Sequence, residues 1–126
     1  MSKIYIQHEA AFSNVSAYVI TDKAGERVAT LAFKFPRDGA GRLWCYLHVL
    51  GLPMQRGSAG GYGYDKRSAA SCEAARKIEK YSPEDCAKYK VDNKVRDAIV
   101  EALDHYGGET FDTRIRNAGF NILQAV

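Results

Sequence analysis

The 126 residues, 46% of them hydrophobic, 11% aromatic and 26% charged, make up one ordinary globular domain of 1–126. A chain of this length buries roughly two thirds of its unfolded surface, so it needs no metal or disulfide to hold a core. The net charge of +3 falls short of what a dedicated phosphate-backbone binder carries, and no apolar run approaches the roughly 20 residues that cross a bilayer. Cys45, Cys72 and Cys86 are odd in number, show no CxxC spacing and follow no secretory leader, which points to a reduced, cytoplasmic setting.

Lys3 to His8 alternates Ile4 and Ile6 with Tyr5 and Gln7, the pattern of a short half-buried strand. Val15 to Thr21 reads as a second strand and Arg27 to Phe35 as a third, with Ala29, Leu31, Phe33 and Phe35 sharing one face. Asp22 to Glu26 between them has hairpin length, with Gly25 where a left-handed residue is wanted. After the turn-forming FPRDGAGR, Leu43 to Leu50 forms a fourth strand with bulk on both faces: Leu43, Cys45, Leu47 and Val49 against Trp44, Tyr46, His48 and Leu50. One face meets helices, and the other presents Trp44 and Tyr46 as interface anchors unless a loop such as Leu52 to Gly57 folds over them.

Gly57 to Ala70, GSAGGYGYDKRSAA, is the stretch where backbone freedom, aromatic rings and charge converge. Gly60, Gly61 and Gly63 supply a tight turn or a close approach, and Asp65 suits the N-cap of a helix from Lys66 to about Lys80. The low-bulk side of that helix, Ala69, Ala70, Cys72, Ala74 and Ala75, lets it sit near a sheet. Ser82-Pro83 caps a further helical turn. Val91, Val95, Ala98, Ile99, Ala102, Leu103 and Tyr106 recur on one helical face, started by Asp92 or Asn93 and stopped by Gly107-Gly108. Thr110 to Asn117 reads as a short helix burying Phe111 and Ile115, with Gly119 as its stop and Phe120 to Val126 as a closing strand. The expectation is an α+β fold: an antiparallel sheet of four to five strands with two or three helices on one face.

Catalytic chemistry is hard to assemble. The glycine run lacks the Walker pattern and the dinucleotide fingerprint, and Asp65 would place negative charge beside a phosphate at the helix start. His8, His48 and His105 are scattered, and no nucleophile elbow, zinc spacing or carboxylate pair emerges. No catalytic residue, metal or cofactor is therefore expected.

GGYGYDKRSAA, with FPRDGAGRLW before it and IRNAGFNILQAV at the end, resembles a group of small proteins of phages, prophages and other mobile elements that share the pattern GGxGYDKxSAA and a terminal AGxxxLQ. The resemblance covers Val28 to Ala75 and the last dozen residues, while Tyr81 to Asp92 has no counterpart. No enzymatic activity defines that group. The resemblance implies a mobile-element origin, and small phage proteins without chemistry often bind and block a bacterial machine, as anti-CRISPR proteins do. The expected function is thus a non-enzymatic inhibitor acting in the host cytoplasm on a bacterial protein complex such as a CRISPR effector. Its contact residues would be Trp44, Tyr46, Arg56, Tyr62, Tyr64, Lys66 and Arg67. The alternative is a single-stranded nucleic-acid module in which Tyr62, Tyr64 and Trp44 stack on bases while Arg56, Lys66 and Arg67 meet phosphates. Monomer and homodimer are both open.

Overall fold

The computed structural model describes residues 15–36, 41–60, 66–104, 111–117 and 119–124. Strands β1 (Val15–Thr21), β2 (Arg27–Lys34), β3 (Leu43–Val49) and β4 (Gln55–Ala59) come first. Helices α1 (Lys66–Glu79), α2 (Pro83–Lys88), α3 (Asn93–Asp104) and α4 (Phe111–Asn117) follow, and β5 (Asn121–Gln124) closes the chain. The sheet order is β4-β3-β2-β1-β5, with every neighbouring pair antiparallel. The α+β class is as read from the sequence, with four helices among the described residues rather than two or three. The strand expected at Lys3 to His8 and the helix stop expected at Gly107-Gly108 lie outside the described residues, as does Tyr106.

Alternation decides which side of the sheet is inner. The register sets Tyr18 opposite Leu31, Leu31 opposite Leu47, and Phe33 opposite Cys45, so these side chains share the face that meets the helices. Tyr18, Phe33 and Phe111 of α4 form a three-ring cluster with centroids 6.0, 5.5 and 5.3 Å apart in edge-on and tilted arrangements. The β1–β2 hairpin is closed by Asp22, whose Oδ1 accepts from the amides of Ala24 and Glu26, both at 2.9 Å, with Gly25 at φ +89°.

The one strand missing from the sequence reading is β4. Leu52 to Gly57 is not a loop over Trp44 and Tyr46: Gln55 to Ala59 pairs edge-on with β3, and only Leu52 turns into the core. Its sequence, QRGSA, lacks bulky alternation because α1 lies directly against it. A Cβ on Gly57 would sit 2.3 Å from the Ala70 carbonyl oxygen and 2.6 Å from the Ala74 nitrogen, so only glycine permits this approach. The closeness lets α1 reach the strand's backbone. Lys77 Nζ donates to the Arg56 carbonyl at 2.7 Å and the Ser58 amide donates to Glu73 Oε1 at 3.2 Å. β4 is an edge strand, and two of its backbone groups are taken by side chains of one helix rather than by another strand.

The remaining helix ends follow local rules. Ser82 caps α2 through a reciprocal capping box with Asp85 and Pro83 at the first turn. Val91 N donates to the Cys86 carbonyl at 2.8 Å and Lys90 N to that of Ala87 at 3.1 Å, which ends α2 with Lys90 at φ 61°. A lysine in this left-handed position costs about 1 kcal/mol relative to glycine. Asp92, not Asn93, caps α3, accepting from Lys94 N at 2.8 Å and Val95 N at 3.3 Å. The buried Arg96 then joins α3 to α1, its Nη2 donating to the carbonyls of Glu79 at 3.0 Å and Tyr81 at 2.8 Å, where a cation complements a helix C-terminus. Gly119, at φ +92°, ends α4 as its position suggested.

Candidate binding surface on the outer face of the sheet

The same alternation that buries Leu43, Cys45, Leu47 and Val49 turns Trp44, Tyr46 and His48 to the other side of β3, where all three are half-buried. Neighbouring strands supply Thr30, Ala32 and Lys34 from β2 and Arg56 and Ser58 from β4. This outer face is lined by small side chains at its centre, with Thr30 and Ala32 buried, and by the aromatic pair toward β4. The Arg56 guanidinium carbon stands 5.2 Å from the Trp44 ring centroid, a cation–π contact of about 0.5–1 kcal/mol at an exposed site. Arg42 Nε donates to Ser58 Oγ at 2.9 Å, which brings a second guanidinium to the same edge.

None of the five strands contains an aspartate or glutamate, and their charged residues, Arg27, Lys34 and Arg56, are all cationic. Among the described residues the acidic ones stand instead in the β1–β2 turn and on the helices and their connections. The outer face is thus an aromatic and cationic surface without carboxylates of its own strands.

The residues named from the sequence do not all share this surface. Trp44, Tyr46 and Arg56 come together. Arg67 lies on the helix side of the sheet, where its Nη1 donates to the Tyr18 hydroxyl at 3.2 Å and its guanidinium carbon is 6.0 Å from the Phe111 ring centroid. Arg67 therefore closes the core edge between α1, β1 and α4. Lys66 is half-buried at the start of α1. Tyr62, Tyr64, Gly61, Gly63 and Asp65 lie outside the described residues. Gly60 is not among the glycines at positive φ, and a side chain there would meet only that of Arg42. Lys34 and Arg42 were not singled out from the sequence, although Lys34 follows from the parity of β2.

The titratable groups offer little reactivity. Burial pushes the Cys45 thiol well above its ordinary range, and neighbouring Cys72 adds to the effect, so Cys45 stays a neutral thiol in the core. Cys72 itself donates to the Leu103 carbonyl. Among the described residues no group of three His, Cys, Asp or Glu side chains is placed to hold a metal ion, and no helix is long and apolar enough to cross a membrane. No protein-family model matches the chain, and neither does any curated protein or solved structure.

Proposed function

We propose that the protein is a non-enzymatic binding protein that blocks a bacterial protein complex, with the outer face of the sheet as its contact surface. The observation that carries the reading is the Trp44–Arg56 pair at 5.2 Å beside Tyr46. Tryptophan, tyrosine and arginine are the residue types that dominate protein interfaces, and here they adjoin one another on a rigid strand pair. The resemblance to small mobile-element proteins makes a cytoplasmic defence complex, such as a CRISPR effector, the first partner to test.

The test is target cleavage by a panel of purified CRISPR effectors with and without the protein. Inhibition of one effector at stoichiometric ratio is expected, and it should vanish in the Trp44→Ala/Arg56→Glu variant while the melting temperature stays close to the parent's. An unaffected panel removes the defence-complex reading.

A second reading rests on the strands' lack of carboxylates, which suits an anionic ligand. In it, single-stranded nucleic acid lies on the outer face, Trp44 and Tyr46 stack on bases and Arg56 meets phosphate. Arg67 contributes nothing to that surface from the helix side. Binding to short oligonucleotides that falls steeply with salt would favour this reading, and no binding at low salt would eliminate it.

A further inference from the structure

Trp44 and Ser58 are cross-strand partners near the start of β3 and the end of β4, and each of them holds one guanidinium. Arg56, two residues before Ser58 and on the same side of β4, has its guanidinium carbon 5.2 Å from the Trp44 ring centroid. Arg42, immediately before β3, donates from Nε to Ser58 Oγ at 2.9 Å. Arg56 is also the register partner of Tyr46, and its carbonyl accepts from Lys77 Nζ at 2.7 Å. This corner of the outer face therefore rests on a strand held by β3 on one side and by α1 on the other.

The two guanidiniums are positioned but not used up. Each carries five N–H donors in a planar fork, of which Arg42 commits Nε to Ser58, while the contact of Arg56 with Trp44 runs through the ring's π electrons. Neither arginine forms an ion pair among the described residues. The one carboxylate that the described contacts bring to this part of β4 is Glu73 of α1. It accepts from the Ser58 amide at 3.2 Å and lies 4.0 Å from Lys77 Nζ. With Arg42, Arg56 and Lys77 set against Glu73, the corner stays cationic.

We infer that this corner receives an acidic segment of a partner protein, whose Asp or Glu side chains accept from the forks of Arg42 and Arg56 beside Trp44. The inference rests on the reading of the outer face as a protein contact and adds the chemistry of the partner's side. A guanidinium fork matches a carboxylate with two parallel hydrogen bonds, and arginine beside tryptophan is the pairing that concentrates binding energy in protein interfaces. Charge complementarity then selects an acidic partner over a basic one. A base is the poorer occupant, because Arg56 already lies over the Trp44 ring where a base would stack. A two-fold contact between copies would set these arginines against their own counterparts.

The experiment is selection from a random peptide display library on the native protein, followed by affinity measurements with the enriched synthetic peptides. These should carry Asp or Glu. Binding should fall about tenfold or more in Arg42→Gln, in Arg56→Gln and when the acidic residues of the peptide are replaced by their amides, while both variants melt close to the parent. Arg42→Lys, which keeps the charge and loses the fork, should bind at an intermediate level. Binding lost in Trp44→Ala but unchanged in the two arginine variants overturns the acidic partner and leaves the outer face as a contact surface, whereas binding indifferent to all three variants overturns both. Failure to enrich, or enrichment of basic peptides, overturns the inference. So does an oligothymidylate that binds more tightly than any enriched peptide, or a concentration-dependent association in sedimentation that Arg42→Gln abolishes.

Discussion

Strand β3 meets two different environments through alternate residues. Leu43, Cys45, Leu47 and Val49 are at most 2% exposed under the helices, while Trp44, Tyr46 and His48 stay half-buried on the other side. The inner side is built to exclude additions, to the point where β4 has a glycine because α1's backbone occupies the space of a Cβ. The outer side is built from large amphipathic groups that keep a polar edge in water. One strand therefore holds the fold with one set of residues and carries the proposed contact surface with the other, and the two sets can be changed separately.

The sharpest test of that separation is on the inner side. Ile99→Ala, at a fully buried position of α3, should destabilise by about 2–5 kcal/mol in urea unfolding. A loss below about 0.5 kcal/mol, the scale of surface substitutions, would put the α3 face outside the core. Gly57→Ala should cost about 1–3 kcal/mol, because the added methyl meets backbone atoms of α1 that have no alternative position. A neutral result would show that α1 slides freely over β4. The finest comparison uses two arginines on opposite sides of the sheet. Arg67→Glu removes a charged hydrogen bond to Tyr18 and should cost about 1–2 kcal/mol, whereas Arg56→Glu should change stability by about 0.5 kcal/mol or less. Equal thermal shifts for the pair would erase the distinction between the faces.

Much of the architecture was legible in the residues. Period-two alternation exposed β2 and β3, period-3.6 recurrence exposed α3, and Ser82-Pro83 and Gly119 marked helix boundaries through chemistry that acts over a few residues. β4 was not legible, since Gly57 and Ala59 are small for the sake of a helix that comes later in the chain. For the same reason Trp44 and Tyr46 could be assigned to one face, but Arg67 could not be separated from Arg56. Adjacency to a glycine-rich run says nothing about which side of a sheet the next helix will take.

The contacts from Lys77 and Glu73 to the backbone of β4 bear on how copies of this protein could assemble. A sheet extends into a fibre only if each molecule offers a receptive edge at both ends, since head-to-tail contact consumes one of each. Among the described residues one end of the sheet, β4, is occupied by side chains of its own helix. Edge-to-edge pairing through β4 would first require α1 to release its hold on that strand.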